Sequence, residues 1–224
     1  MIFCTGFKSD MTGGKALALE SWCTGAGRQF TRFDYQGHGA SSGKFKDGTI
    51  GEWKSDAVAV LDEVTSGPQI VVGSSMGGWI AFLLAVARTE RIAGIVGIAP
   101  AVDFTQALLW PRMTDEARRQ IEEEGVWYRP SEYDPEPYPI TRTLIEEGRN
   151  NLLMPGPIPF HGPVRLIHGM LDEAVPWEHS LKIADAVASD DVELSFIKDG
   201  EHRLSRDSDL NRLIATVQNV IERV

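Results

Sequence analysis

The chain has 224 residues, 42% of them hydrophobic and 24% charged, with a formal net charge of −10. That length and composition suit one α/β domain carrying an insertion. The acidic balance argues against general binding of nucleic acid or of an anionic membrane surface and reads as solubility, and no apolar run reaches the length of a membrane span.

Met1 to Thr5 reads as a first, apolar strand, without the basic flank or length of a signal peptide. Cys4 within it is expected to pack, not to react. With Cys23 it makes too few cysteines for a disulfide scaffold, so free thiols in a reducing compartment such as the cytoplasm are expected. The turn Thr5-Gly6-Phe7-Lys8-Ser9-Asp10 follows, then a helix over Gly14 to Thr24 and a strand over Arg28 to Asp34. Asp34-Tyr35-Gln36-Gly37-His38-Gly39 is turn-rich, and His38 is expected to pack that turn. Thr49 and Glu52 form a capping box for a helix over Ile50 to Thr65.

Gln69 to Gly73 is a short β-branched run that reads as a buried strand. Gly73-Ser74-Ser75-Met76-Gly77 then matches G-x-S-x-G, and an apolar helix over Met76 to Thr89 follows. Strand, glycine-rich turn and helix are the context a nucleophile elbow requires. The plain alternative is a tight strand-to-helix turn. Ile92 to Ile98 is the next strand.

From Val102 to about His161 no good strand is expected, and the rhythm of strand and helix breaks. Helices are expected over Thr114 to Glu124 and Thr141 to Asn150. Prolines 130, 135, 137, 139, 155, 157 and 159 punctuate the segment. A structureless loop of this length is uncommon in a compact domain, so 102–161 reads as a helical cap inserted between core segments 1–101 and 162–224. Its aromatics, Trp110, Trp127, Tyr128, Tyr133 and Tyr138, either wall a pocket or fasten the cap to the sheet. Trp110 and Trp127 are the candidates for substrate contact.

Strands over Pro163 to His168 and Val192 to Lys198, and helices over Trp177 to Ala188 and Ser205 to Arg223, complete the chain. Alternating β and α units imply a mainly parallel, doubly wound sheet covered on both faces.

A serine nucleophile needs a base and an acid that orients the base. Among five histidines, His202 follows a strand at its carboxyl end, where α/β sites assemble, and is the candidate base. His168 reads as a structural or supporting histidine, and His161 and His179 as loop or helix-start residues. Asp172 follows the turn after His168 and precedes His202, giving the order Ser75, Asp172, His202. Its rivals are the adjacent Glu173 and, after the preceding sheet strand, Asp103; a capping carboxylate is the plain alternative. The backbone N–H groups of Met76 and Phe7 are the candidate oxyanion donors.

These segments together, with Gly169-Met170-Leu171-Asp172-Glu173-Ala174-Val175-Pro176 and Gly200-Glu201-His202, resemble the α/β-hydrolase superfamily over essentially the whole chain. Phe3 to Ala16 is similar to a branch of thioesterases and acyl-glucuronide esterases that includes a mitochondrial palmitoyl-protein thioesterase and bacterial relatives. The resemblance implies hydrolysis of carboxylic esters or thioesters of small to medium acyl groups through an acyl-serine, with no metal and no organic cofactor. The implied substrate is a small-molecule ester or thioester, or an acylated protein. A eukaryotic relative with an upstream targeting segment would be mitochondrial. Members usually carry one or two strands upstream of the one that opens this chain; either the start lies late or the sheet is smaller.

The resemblance leaves two other functions open. A peptidase-like acyl hydrolase shares the fold, and fold does not dictate function. A non-catalytic binding module is the other, although such proteins usually lose a catalytic residue and Ser75, Asp172 and His202 are all present.

Overall fold

The computed structural model describes residues 1–131, 135–154 and 156–224; Tyr133 and Pro155 lie outside them. Its strands are β1 (Ile2–Cys4), β2 (Thr31–Arg32), β3 (Gln69–Ser74), β4 (Ile92–Ile98), β5 (Val126–Arg129), β6 (Tyr138–Thr141), β7 (Val164–Gly169) and β8 (Val192–Ile197). Its α-helices are α1 (Gly14–Gly25), α2 (Ile50–Ala59), α3 (Met76–Ala87), α4 (Asp115–Glu124), α5 (Arg142–Gly148), α6 (Glu178–Ala186) and α7 (Asp207–Ile221). Six strands pair in the order β2-β1-β3-β4-β7-β8, every pair parallel.

Side chains of a strand alternate between faces, and the sheet shows it. Cys4, Val71, Ile95 and Leu166 pack with α2, α3 and α6, whereas Phe3, Val72, Val96 and Ile167 pack with α1 and α7. Burial on both faces explains why Ile70 to Gly73 of β3 and Ile92 to Ile98 of β4 read as continuous apolar runs. Each fully buried Ile, Leu or Val contributes about 1.5–3 kcal/mol. Chain order reverses between β1 and β3, and the loops after these two strands open a crevice at the carboxyl edge.

Three local expectations need correction. The segment between β4 and β7 does hold strands: β5 and β6 form an antiparallel hairpin with Trp127 opposite Ile140 and Tyr128 opposite Pro139. Proline hides such strands from a sequence reading, yet a two-stranded ribbon has free edges where a missing N–H costs nothing. The second sheet strand shrinks to Thr31–Arg32, because it lies at the sheet edge and, among the described residues, pairs only with β1, which is three residues long. The α-helix from Ile50 ends at Ala59 and widens into a π turn over Val60–Val64.

The caps follow the sequence more closely. Thr49 Oγ1 accepts the Glu52 N–H at 3.2 Å, but the Glu52 carboxylate accepts the Thr49 hydroxyl in place of the Thr49 N–H. Thr114 and Thr141 cap α4 and α5 through the N–H groups of Ala117 and Leu144. The segment between β4 and β7 has a core of its own, in which Leu109, Met113, Ile121, Ile140 and Ile145 pack together. Glu147 of α5 fastens it to the sheet layer by accepting the Gly51 N–H at 2.9 Å.

Candidate active site

Ser75 sits at the junction of β3 and α3 with φ 55° and ψ −119°. That region is costly for a residue with a side chain and persists only where neighbours enforce it. Three hydrogen bonds do so: Ser75 N–H donates to the Ile98 carbonyl, and Gly78 and Ala101 N–H donate to the Ser75 carbonyl, each at 2.9 Å. The turn also needs bare backbone. A Cβ at Gly73 would lie 2.2 Å from the Gly77 oxygen, and one at Gly77 would lie 2.0 Å from the Cys4 oxygen. β1, β3 and α3 therefore touch through backbone, and Ser75 is pushed outward at the start of α3.

Ser75, His202 and Asp172 meet. Ser75 Oγ lies 3.1 Å from His202 Nε2, and His202 Nδ1 lies 2.6 Å from Asp172 Oδ2. A carboxylate only accepts, so Nδ1 carries the proton and the Nε2 lone pair faces the Ser75 hydroxyl. Asp172 is buried, and burial pushes its carboxyl up. Hydrogen bonds from His168 and His202, the charge of His202 and the Val175 N–H outweigh burial and hold it at about 2. The carboxylate is thus anionic at neutral pH.

The rival acids are elsewhere. The carboxylate of Asp103 accepts the N–H groups of Leu153 and Met154 at 2.9 Å, and burial raises its carboxyl. Glu173 is exposed at the rim. His179 is buried in α6 with Nε2 donating to the Val102 carbonyl at 2.8 Å; burial lowers it to about 4. His161 is exposed in a loop. His38 packs edge-on against Tyr35, Phe45 and Trp53. Its Nε2 also accepts the Lys8 N–H at 3.3 Å, which steadies the turn after β1. Cys4 is buried and its thiol is pushed up to about 12 by burial, as suits packing.

The backbones of Phe7 and Met76 flank Ser75 at the crevice. A Cβ on Gly6 would lie 3.5 Å from Ser75 Cβ, so the loop after β1 passes directly beside the serine. No hydrogen bond found among the described residues uses the Phe7 or Met76 N–H. The Phe7 ring is wedged between Phe45, Trp53, Phe104 and Tyr138, which fixes the loop that presents its N–H.

A cavity of about 570 Å³ opens onto Ser75 and His202. Phe104, Leu108, Leu109, Met113, Trp127 and Ile140 supply much of its apolar wall. Trp127, a candidate for substrate contact, lines this cavity. Trp110 does not line this cavity; it packs in the separate core of its segment with Arg118 over its ring at 5.6 Å. Its position at the head of a 3-10 turn, Trp110–Arg112, turns its ring away while Leu109 and Met113 face inward. The sequence reading does not find Ile140, because Pro139 hides β6 as a strand; with β6 recognised, a two-residue period places Ile140 beside Tyr138 on one face. The mouth is basic despite the acidic chain: Lys8, Lys15, Arg112, Arg129 and Arg203 line it against Asp10 and Glu173. Burial first, then repulsion from Arg203, lowers Lys15 to about 8.

Comparison with known proteins gives one consistent result. Residues 2–135 match the Hydrolase_4 family model, described as "Serine aminopeptidase, S33". The mouse protein named palmitoyl-protein thioesterase ABHD10, mitochondrial, is 42% identical over 227 residues, spanning 100% of this chain and 75% of the relative. Its human counterpart is 38% identical, spanning 100% and 73%. The solved mouse structure, alpha/beta hydrolase domain-containing protein 10, superposes with a TM-score of 0.91 at 41% identity, covering 99% of this chain and 88% of that one. A crystal structure from Agrobacterium vitis S4 reaches a TM-score of 0.94 at 44% identity, covering 98% and 87%.

Proposed function

Because this chain belongs to the α/β-hydrolase family, we propose that it is a serine hydrolase of carboxylic esters and thioesters, with Ser75 as nucleophile. The observation that carries this reading is the line Ser75 Oγ, His202 Nε2, His202 Nδ1, Asp172 Oδ2, set under an apolar cavity. Ser75 Oγ attacks the acyl carbon while His202 Nε2 takes its proton. The resulting oxyanion is held by the N–H groups of Phe7 and Met76. His202 returns the proton to the departing alcohol or thiol, and the acyl group stays on Ser75. Water then attacks the acyl carbon with His202 again as base; the bond from the acyl carbon to Ser75 Oγ breaks, His202 returns the proton to Oγ, and the free acid leaves. Asp172 stays ionised throughout and stabilises the imidazolium.

Residues 102–161 act as a cap in this reading, with Trp127 on its underside contacting the acyl group. The apolar wall suits an acyl chain, and the basic mouth suits a leaving group that carries negative charge. The named mitochondrial relatives support a thioester among the substrates, either a small molecule or an acylated protein. Buried free thiols at Cys4 and Cys23 suit a reducing compartment, the cytoplasm or the mitochondrial matrix. Among the described residues no helix is long and apolar enough to cross a membrane.

The test is labelling by a fluorophosphonate probe, followed by a panel of nitrophenyl esters, acyl-CoA thioesters and aminoacyl anilides. Labelling of the native chain but not of Ser75→Ala, with turnover of esters and thioesters, is expected. Turnover of the anilides alone replaces this reading with the peptidase one suggested by the family description.

A further inference from the structure

A second buried imidazole lies behind Asp172. His168, the penultimate residue of strand β7, is fully buried. Its Nε2 lies 2.9 Å from the Val175 carbonyl and 3.2 Å from Asp172 Oδ2. Both neighbours are acceptors, so Nε2 carries the ring proton and shares it between them. Its Nδ1 lies 2.7 Å from Ser180 Oγ of α6, so that nitrogen accepts the hydroxyl proton. Ser180 is fully buried as well.

Hydroxyl, imidazole and carboxylate therefore form a second chain that ends on Oδ2, the oxygen that also accepts from His202. Oδ1 is occupied by the Val175 N–H at 2.8 Å. Three donors thus hold the Asp172 carboxylate, and His168 is the one that ties it to β7 and, through Ser180, to α6. An apolar side chain would fill this site without needing polar partners. The imidazole instead spends both nitrogens on the loop that carries Asp172 and on the helix behind it.

We propose that His168, oriented by Ser180, is a positioning residue: it fixes the Asp172 carboxylate so that His202 Nε2 stays aimed at Ser75. The proposal rests on the reading of Ser75, His202 and Asp172 given above. Without His168, Oδ2 keeps only the imidazole of His202 as a side-chain partner, and the carboxylate can rotate about its bond to Val175. The loss falls on the proton transfer and not on substrate binding. Misplacement on the scale of an ångström costs about 100-fold in rate.

The experiment compares steady-state hydrolysis of one nitrophenyl ester by the wild type, Ser75→Ala, His168→Leu, His168→Gln and Ser180→Ala, with folding checked by circular dichroism. His168→Leu is expected to lower kcat about 10- to 100-fold with KM unchanged. His168→Gln, whose amide can donate from the place of Nε2, is expected to recover most of kcat. Ser180→Ala should fall between the two. Wild-type kcat in folded His168→Leu overturns the proposal, and so does a glutamine variant as impaired as the leucine one. If Ser75→Ala is inactive while His168→Leu is unimpaired, only the positioning role fails; an active Ser75→Ala removes the reading beneath it. Should His168→Leu fail to fold, long-range proton–nitrogen correlation on the wild type decides. The proton of His168 is expected on Nε2 with Nδ1 bare, and a proton on Nδ1 overturns the proposal.

Discussion

His202 Nε2 lies 3.1 Å from Ser75 Oγ, although 127 residues separate the two in the chain. The strands that precede them are not neighbours, since β4 and β7 stand between β3 and β8. Three strand spacings make a gap of about 14 Å. The loop after β8 bridges it and is fastened by Arg206, whose guanidinium pairs with Asp199 and Asp209. The proposed chemistry depends on that reach, and the predictions below test its parts.

Ser75→Ala should leave the fold intact and lower ester kcat/KM by about 10⁴–10⁶. The measurement is turnover beside circular dichroism. A folded alanine variant that keeps a tenth of wild-type turnover rules Ser75 out as nucleophile.

Activity should fall on the acid side, because a protonated imidazole cannot take the Ser75 proton. Asp172 cannot supply that limb, since its carboxyl is held at about 2. The pH profile of kcat/KM checks this. A limb unchanged in a folded His202→Gln variant of comparable rate would assign it to another group.

Stability should also depend on pH, through His179. Burial lowers this imidazole to about 4 from its ordinary 6.5. Between those values the unfolded chain binds a proton that the folded chain does not. The contribution of His179 is therefore complete above 6.5 and lost progressively as pH falls toward 4. The span corresponds to about 3 kcal/mol. Urea midpoints measured from pH 7 to pH 4 should fall more steeply in the wild type than in a folded His179→Gln variant. Parallel slopes would remove His179 as the source.

Trp127→Ala should flatten the dependence of kcat/KM on acyl length, and Trp110→Ala should not, because only Trp127 lines the cavity. Each well-buried methylene is worth about 0.8 kcal/mol, or about fourfold in rate. The alanine variant should lose part of that factor on long esters while keeping acetyl turnover. Equal losses at every length would place the acyl contacts on the sheet loops instead.

Two glycines of opposite kind test the packing beneath Ser75. Gly25, at the end of α1, has open space around its missing Cβ, so Gly25→Ala should stabilise by about 0.5–1 kcal/mol. A Cβ at Gly77 would meet the Cys4 carbonyl oxygen, and that backbone cannot move aside without displacing β1. Gly77→Ala should cost about 3 kcal/mol or more. Thermal melts of the two variants compare them directly, and a Gly77→Ala melt near wild type would contradict the close approach.

The amino-acid sequence by itself determined the central sheet strands and the residues that meet at Ser75, but not the extent of the edge strand β2. Strands buried on both faces are continuous apolar runs, as at Gln69 to Ser74 and Ile92 to Ile98, and periodicity reports them directly. Ser75 was legible because backbone contact demands glycine at 73 and 77, and Asp172 and His202 because each follows the carboxyl end of a sheet strand. Tertiary structure alone decided what depends on long-range packing. The β5–β6 hairpin is held by pairing to its own partner and by the small core around Ile121 and Ile140, and its prolines erase the local strand signal. Which tryptophan faces the cavity turns on whether it sits on that hairpin or on a 3-10 turn behind it. The tie of His168 to Asp172 and Ser180 likewise joins a strand, a loop and a helix. Sequence spacing carries no record of the angle at which three such elements meet; only their packing into one buried site sets it.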